Sequence, residues 1–370
     1  MSAEGTRRLK AAIIGCGDIA LRKHIPSLQS IEEVEVCAFG SRSISKATIA
    51  RECYGNPAAK VYTDTDELLD DRDIDVVFVC TPNNTHASIA INALEHGKHV
   101  LCEKPMAISS ADCRRMVEAS ERNRKKLSIA FQNRFKPEVQ HLYALCRGGR
   151  LGEIYHAKAH AIRKRAVPTW GVFLNKEIQG GGPLIDIGSH SIDLALWLMD
   201  AYEPSWVIGK CYKKIAALGS KANRWGEWNP MDFGVEDSAF GLVLMKNGVT
   251  LGIDAAWALN TGDEREASVT LFGSRAGADM KNGLVLTGEL ENAIYSSRPE
   301  FLGEGARTLA KDVKRTTPSY LEARAFIDCI LHDEEPAVLP RQALVVAQIV
   351  EALYESDRTM EPVHLSSDRG

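Results

Sequence analysis

The sequence predicts an α/β protein, in which a doubly wound parallel sheet over residues 1–131 precedes a second α/β domain, 132–370, with an open, largely antiparallel sheet. Short β-branched runs alternate with helical patterns up to residue 131, which is typical of βαβ units. Longer extended runs follow, joined by short turns such as Asn247-Gly248, a dipeptide favoured in hairpins. A chain of 370 residues is long enough for about two domains.

Six strands are predicted in the first domain: LKAAIIG, VEVCAFG, AKVYT, DVVFVCTP, KHVLCEKP and LSIAFQ. Amphipathic stretches such as SIAINALEHG separate them. The second domain has five predicted strands: EIYHAKAHAIR, SWVIGKCYKKIA, DSAFGLVLMKNG, VTLGIDAAWAL and ASVTLFGS. Because an open sheet needs cover, we expect the helices LEARAFIDCIL and RQALVVAQIVEALYE to cover part of it. A second subunit, in a homo-dimer or homo-tetramer, would cover the rest.

Composition and charge exclude several classes of function. The 45 basic and 49 acidic residues leave a net charge of -4, and no basic cluster is long enough to follow a nucleic-acid backbone. No apolar run approaches the roughly 18 residues that a membrane span requires. The nine cysteines never form a C-x-x-C pair, so no metal site is predicted. Reduced cysteines within apolar runs favour a cytoplasmic location.

A glycine motif links the first predicted strand to a helix. Gly15 and Gly17 are followed by Asp18, Ile19 and Ala20. In a strand-to-helix turn the first glycine allows the tight bend, the second admits a pyrophosphate, and a small third residue permits close packing. The motif therefore predicts dinucleotide binding; the alternative is a tight turn without a ligand.

The end of the second strand bears on the choice of cofactor. An NAD site would have an acidic residue there to bond the ribose 2'-hydroxyl, but the sequence has Ser41 and Arg42. A guanidinium suits a 2'-phosphate, which favours NADP(H). The alternatives are that Arg42 stacks on adenine while NAD is accepted, or that it is simply solvated.

Two further segments carry groups suited to proton transfer. Lys104 stands at the end of the fifth strand, where ligands gather in open α/β sheets. Its ammonium could polarise a substrate hydroxyl or exchange a proton itself; the alternative is a solvated lysine. In the segment GGGPLIDIGSHSID, Asp186, His190 and Asp193 fall on one helical face. A histidine held by carboxylates can accept a proton and return it; the alternative is a buried histidine that only bonds a neighbour on its helix. We expect the preceding glycines, 180–182, to be backbone that passes close to cofactor or substrate.

Together GCGDIA, CTPNNTH, CEKP and GGGPLIDIGSHSID resemble the Gfo/Idh/MocA oxidoreductases over nearly the whole chain. The resemblance implies a Rossmann domain, a mixed α/β domain whose open sheet often mediates oligomers, and hydride transfer between nicotinamide and a sugar or polyol carbon. By position, Lys104, Asp186 and His190 would form the catalytic set and also contact substrate. We expect His190 to act as acid and base, Asp186 to bind substrate and tune His190, and Lys104 to polarise the hydroxyl.

The resemblance also implies residues that line the cofactor beyond the glycine motif and Arg42. They are Thr81, Pro82, Asn83, His86, Glu103, Lys104 and Asn133, the last within FQNRF. The run IRKRAVPTWG brings Arg163 and Arg165 as substrate ligands, or as a solvated strand end. Trp170 offers a flat face for a sugar ring or nicotinamide, unless it belongs to the core.

The leading hypothesis is an NAD(P)-dependent dehydrogenase of a cyclic polyol or sugar, such as an inositol or a pyranose. A neutral substrate is favoured, while a phosphorylated or uronic one would better explain Arg163 and Arg165. One alternative uses tightly bound NAD in transient oxidation to cleave a glycosidic bond. Others are a non-catalytic dinucleotide-binding sensor, which would not need a complete proton-transfer set, and an imine or biliverdin reductase, which would leave the histidine helix unexplained.

Overall fold

The computed structural model describes residues 7–55, 57–218, 221–301 and 313–365. The chain forms two compact units: 1–107 with 111–135 and 302–341, and 108–110 with 136–301 and 342–370. The division after residue 131 stays a prediction; it lies near the passage of the chain from 111–135 to 136–301, and it does not describe the later return of the chain to the first unit. Among the described helices, none is long and apolar enough to cross a membrane.

The first unit contains a six-stranded parallel sheet in the order β3-β2-β1-β4-β5-β6, which confirms the predicted doubly wound sheet. Its strands are β1 Leu9–Ile14, β2 Val34–Gly40, β3 Lys60–Tyr62, β4 Val76–Val79, β5 His99–Cys102 and β6 Leu127–Ile129. The helices between them are α1 Ile25–Gln29, α2 Ile44–Tyr54, α3 Thr65–Leu69, α4 His86–Glu95 and α5 Ser110–Asn123. All four residues of β4 are fully buried, as expected for the centre of a sheet covered on both faces. The strand order reverses between β1 and β4, which is where such sheets bind ligands.

The second unit contains a nine-stranded sheet in the order β14-β13-β12-β11-β7-β10-β9-β8-β15, in which only the β7–β10 pair is parallel. Its strands are β7 Ile154–Ile162, β8 Pro204–Tyr212, β9 Ser238–Met245, β10 Thr250–Ala256, β11 Arg265–Gly273, β12 Ala276–Asp279, β13 Val285–Leu290, β14 Ala293–Ser297 and β15 Val363–His364. The five predicted strands are confirmed. The sequence pattern missed β12 to β15, of which β13 and β14 form an exposed edge hairpin without an apolar alternation.

The remaining helices are α6 Pro137–Arg147, α7 Lys176–Gln179, α8 Ser189–Met199, α9 Pro318–Leu331 and α10 Pro340–Thr359. The expectation that α9 covers the open sheet is wrong. Its Ala323, Phe326 and Ile327 belong to the core of the first unit, where the Phe326 ring meets the Phe78 ring edge-on at 6.2 Å. An apolar helix face in the sequence indicates that the helix packs on a sheet, but it does not indicate which sheet.

Helix α10 covers the second sheet as expected. Gly209 of β8 and Gly241 of β9 leave room for Leu353, because a Cβ on Gly209 would lie 2.6 Å from its side chain. Helix α8 packs on the same sheet against β7 and β11. Its residues 189–196 are all buried, which places the start of α8 deep in the unit.

Candidate active site

In the first unit, the glycine turn after β1 is held against two other strand ends. Gly15 has a φ of 98°, and a Cβ there would lie 2.5 Å from the carbonyl oxygen of Cys80. Its N–H donates to the Gly40 carbonyl at 2.9 Å. A Cβ on Gly17, by contrast, would meet nothing within 4 Å, while Ala20 is fully buried under the turn. The turn therefore leaves backbone open at Gly17, which is what a pyrophosphate requires.

The helical stretch that follows begins with Asp18 and Ile19. Leu21 donates its N–H to the Gly17 carbonyl at 3.0 Å, so helical hydrogen bonding begins at Gly17 and the N–H groups before Leu21 belong to a helix N-terminus. Asp18 is exposed and pairs with Arg22 at 2.6 Å. These positions fit a dinucleotide whose phosphates lie at a helix N-terminus.

At the end of β2, Ser41 and Arg42 stand beside this turn. Ser41 donates its N–H to the Tyr62 carbonyl at 3.0 Å, and its Oγ accepts from the Ser43 N–H at 3.3 Å. Arg42 is exposed, and no hydrogen bond or ion pair joins it to another residue of the described part of the chain. Its guanidinium is therefore available to a ligand phosphate.

The turn after β4 is braced from inside by His86. Its ring nitrogens lie 2.8 Å from the carbonyls of Pro105 and Thr81, and it is 1% exposed. Burial lowers the pKa of His86 below the usual histidine value, which the two carbonyls offset in part. His86 acts on a cofactor through the backbone that it holds rather than through its enclosed ring. Thr81, Pro82 and Asn83 are the half-buried positions of this turn.

At the end of β5, a buried pair holds the backbone of the predicted catalytic lysine. His24 Nε2 lies 2.8 Å from Glu103 Oε1, and the other carboxylate oxygen accepts from the Lys104 N–H at 3.1 Å. Burial raises the pKa of Glu103, but the hydrogen bond with His24 and nearby positive charge outweigh it and leave the pKa below its usual value. The Lys104 side chain is half-buried. Glu103 thus positions the Lys104 backbone, and the contact of Glu103 with cofactor that the resemblance implies stays a prediction.

Sequence reasoning missed His24, although a local signal existed. His24 lies four residues after Ala20 on the same helical stretch, so both residues fall on the side that faces the core. A polar residue at such a position is the signal that could have identified it. The histidine is 2% exposed, and its Nδ1 has no hydrogen-bond partner among the described atoms.

The segment after β6 is fixed by a buried arginine. Arg134 is 1% exposed and donates from Nη1 to the Ala337 carbonyl at 3.2 Å. Its neighbour Asn133, expected near the nicotinamide, is 8% exposed within the turn Gln132–Phe135. The ends of β1, β2, β4, β5 and β6 thus bring the predicted cofactor residues of the first unit to one edge of its sheet.

In the second unit, Gly181 and Gly182 of the predicted glycine segment pack closely against other parts of the protein. A Cβ on Gly181 would overlap the Tyr354 hydroxyl, and one on Gly182 would overlap the Glu236 carbonyl. The Glu236 carboxylate accepts from the Gly182 N–H at 2.9 Å, the Leu184 N–H at 3.2 Å and the Tyr354 hydroxyl at 2.8 Å. The close approach shown by the structure is to the protein itself, and the expected passage of this backbone close to cofactor or substrate stays a prediction.

Glu236 is a second residue that sequence reasoning missed. It caps the helical stretch that carries Asp186, from a position 54 residues later in the chain. Burial raises its pKa above the usual glutamate value, which the hydrogen bonds from Gly182, Tyr354 and Leu184 offset in part. Burial and the adjacent carboxylate also raise the pKa of Tyr354 well above its usual value. No local pattern could have connected Glu236 with the glycines.

The helix of Asp186 and His190 begins with a π turn, Leu184–Gly188, which continues into α8. Asp186 is half-buried, and its Oδ2 accepts a hydrogen bond from Trp257 Nε1 at 3.1 Å. His190 is 8% exposed and Asp193 only 1%. Exposure therefore decreases along the predicted face, and Asp186 and His190 are the more accessible members. π turns inside helices are frequent at functional sites.

The run from Arg163 to Trp170 presents one exposed ring and two arginines with partners. Arg163 donates from Nε to Glu266 at 2.9 Å, and its Nη2 makes a second bond to the same carboxylate. Arg165 donates from Nη2 to Asn260 Oδ1 at 2.6 Å. Trp170 is 51% exposed and is not a core residue. The arginines thus already have partners, whereas Trp170 offers its ring to solvent.

Two family models match this chain. One is described as an oxidoreductase family with an NAD-binding Rossmann fold and matches residues 9–131, and the other is the GFO/IDH/MocA C-terminal domain over residues 139–279. The D-glucoside 3-dehydrogenase of Escherichia coli K12 is 34% identical over 364 residues, which cover 98% of this chain and 99% of that protein.

Two solved structures are similar to the chain in fold. The aldose-aldose oxidoreductase from Caulobacter crescentus, complexed with glycerol, has a TM-score of 0.77 at 27% identity over 97% of this chain and all of that one. A levoglucosan dehydrogenase in complex with NADH has a TM-score of 0.82 over 97% of this chain and all of that one, at 20% identity, which shows the fold alone.

Proposed function

Because the chain belongs to the Gfo/Idh/MocA family of NAD-binding oxidoreductases, we propose that it transfers a hydride between nicotinamide and a carbinol carbon of a cyclic sugar or polyol. D-Glucosides are the first class to test, since the relative named D-glucoside 3-dehydrogenase matches 98% of the chain. The observation that carries the proposal is the Asp186–Trp257 hydrogen bond at the start of the His190 helix. It fixes a carboxylate one turn before the His190 imidazole, as proton transfer needs.

In the proposed mechanism, three side chains act on the reacting hydroxyl. Lys104 donates a hydrogen bond to its oxygen and favours the developing negative charge. His190 accepts the hydroxyl proton and returns it in the reverse direction. Asp186, held by Trp257, binds an adjacent hydroxyl and stabilises the charged imidazole. A nicotinamide cofactor held by the first unit would supply the hydride-acceptor chemistry that turns the carbinol into a ketone, while these three side chains bind the hydroxyl and move its proton.

The residues of the first unit would hold the cofactor. The open backbone at Gly17 would accept the pyrophosphate, and Thr81, Pro82 and Asn83 would line the nicotinamide half, supported by His86 and Asn133. We propose that Arg42 binds a 2'-phosphate, so NADP(H) is accepted at least as well as NAD(H).

Absorbance at 340 nm tests the proposal, with NAD and NADP separately and with methyl D-glucosides, free aldoses and inositols as substrates. Growth of the signal with a glucoside supports it. The proposal fails if no sugar or polyol gives a signal with either cofactor. Release of free sugar without reduced cofactor would instead indicate the glycoside-cleaving alternative.

We also propose that a second copy of this chain covers the open sheet face in the cytoplasm. Gly209 and Gly241 face α10, so by strand alternation Ile208 and Leu242 point to the opposite face, where they are 39% and 36% exposed. Self-association buries this apolar pair, which is aligned across β8 and β9. Light scattering should show an oligomer that the Leu242→Arg variant weakens; a monomeric wild-type protein contradicts the proposal.

A further inference from the structure

We propose that Trp170, Phe173 and Trp225 form a binding subsite for a second, uncharged ring of the substrate. We call these three side chains the aromatic shelf. The inference rests on the proposed function, in which a pyranose reacts beside Asp186 and His190. It narrows the substrate class to glycosides that carry a ring as aglycone, such as disaccharides or aryl glucosides.

The aromatic shelf lies next to Trp257, the ring that holds the Asp186 carboxylate. Trp257 donates to Asp186, and its ring centroid lies 6.3 Å from that of Phe173. Trp170 follows at 5.8 Å from Phe173 and 5.0 Å from Trp225, both edge-on. A pyranose that contacts Asp186 would therefore direct a neighbouring ring along the aromatic shelf.

Trp170 is the exposed end of the aromatic shelf, so the binding surface lies there. Trp170 is 51% exposed, whereas Trp257 is fully buried. An indole face left in water gains free energy when it stacks on an apolar ring face, including the C–H face of a sugar. The free face of Trp170 is thus suited to a ring-shaped ligand.

The loops of the aromatic shelf are held in place before any ligand binds. Asn223 is 8% exposed, accepts from the Val167 N–H at 2.9 Å and donates to the carbonyls of Val167 and Gly226 at 2.9 and 2.7 Å. Ala166 donates its N–H to the Trp257 carbonyl at 2.9 Å. Because these contacts fix the segments that carry the aromatic shelf, a ligand does not have to order them, which favours binding.

Charge around the aromatic shelf selects an uncharged occupant. The Arg163 guanidinium lies 5.2 Å from the Trp225 ring centroid and already pairs with Glu266 through two hydrogen bonds. Arg224 pairs with Glu264 at 3.4 Å. A phosphate or carboxylate would have to displace these acidic partners, whereas a neutral ring leaves them in place.

Steady-state kinetics of the full chain with methyl β-D-glucoside and phenyl β-D-glucoside tests the inference. We expect Trp170→Ala to raise KM for the phenyl glucoside about tenfold, to leave KM for the methyl glucoside within about twofold, and to leave kcat for both nearly unchanged. Trp170→Phe should restore most of the affinity. Tyr295→Ala, an exposed ring on the edge hairpin of the same unit, is the matched control and should change neither KM.

Equal KM changes for the two glucosides, or no change for either, would overturn the subsite. Titration calorimetry with phenyl glucoside on the cofactor-loaded enzyme separates this failure from failure of the proposed function. If no sugar is oxidised but phenyl glucoside binds and the Trp170→Ala variant loses that binding, the proposed function fails and the subsite stands. If wild-type protein does not bind phenyl glucoside, the subsite is wrong.

Discussion

His24 and Glu103 form a buried pair, 2.8 Å between Nε2 and Oε1, whose free carboxylate oxygen holds the backbone N–H of Lys104. The pair links the helix after the glycine turn to the strand end that carries the proposed catalytic lysine. It also places a negative charge in a buried position, which only its hydrogen bonds and neighbouring positive charge make tolerable.

Loss of this pair should reduce turnover more than cofactor binding. In Glu103→Ala neither His24 nor the Lys104 N–H keeps its partner, so we expect kcat to fall at least tenfold and stability to fall by about 1–3 kcal/mol. Glu103→Gln keeps an acceptor for the Lys104 N–H and should lie between the alanine variant and wild type. Cofactor affinity within about threefold in both variants is the control, and unchanged kcat in the alanine variant would contradict a positioning role.

The same pair predicts a pH dependence of stability. The pKa of Glu103 in the folded protein lies below its usual value of 4.5. The ionised carboxylate therefore makes its full contribution to stability above pH 4.5, and this contribution is lost as the pH falls through the folded pKa. The melting-temperature difference between wild type and Glu103→Gln should therefore be largest above about pH 5 and should shrink in more acidic buffer. A difference that grows on acidification would contradict the ionised pair.

The proposed proton-transfer groups predict a loss of turnover with little loss of cofactor binding. His190→Ala or Lys104→Ala should each lower kcat by about two to four decades, the usual scale for a missing acid–base group. Fluorescence titration with NADH or NADPH should remain close to wild type. Near-wild-type turnover in both variants would contradict the proposed proton-transfer roles of His190 and Lys104.

The bond from Trp257 to Asp186 can be tested with a matched tryptophan. Trp257→Phe keeps the ring but removes the N–H that donates to Asp186, and kcat/KM should fall about tenfold. Trp228 is also buried and donates its N–H, at 3.0 Å, to the Ala216 carbonyl. Trp228→Phe therefore costs a similar hydrogen bond, about 1 kcal/mol of stability, and should leave kcat/KM unchanged. Equal kinetic losses in the two variants would indicate a structural effect only.

The exposed Arg42 predicts a selective change in cofactor use. Arg42→Ala should raise KM for NADP(H) by at least tenfold and KM for NAD(H) by less than about threefold, since only the former carries a 2'-phosphate. Parallel assays at fixed sugar concentration measure both values. Equal losses would show that Arg42 contacts a part shared by the two cofactors.

Two glycines should give opposite results when each is changed to alanine. Gly181→Ala would press against Tyr354 and should lower stability by about 1–3 kcal/mol. Gly17→Ala meets no protein atom within 4 Å, so its melting temperature should hold while cofactor affinity falls. Calorimetry and cofactor titration on both variants distinguish these outcomes. A loss of stability without a loss of cofactor affinity in Gly17→Ala would place the pyrophosphate elsewhere.

Local patterns predicted the parts of the fold and site that depend on neighbours in sequence. The six parallel strands and the helix of Asp186 and His190 follow from apolar runs and glycine punctuation. Glu236 and the covering role of α9 could not be predicted, because each depends on contacts between distant segments. The π turn at Leu184–Gly188 could not be predicted either, because the sequence pattern assumes about 3.6 residues per turn. A turn that contains an extra residue has no composition of its own that would identify it.

The position of α9 has a consequence for the order in which the protein can be made. The parallel sheet obtains part of its core from Phe326 and Ile327, which leave the ribosome only after every strand from β7 to β14. During synthesis the core of the parallel sheet therefore stays incomplete until α9 has been translated, which is after residues 136–301 of the second unit. A fragment that stops after β6 would lack these core residues and would expose the apolar surface that they cover.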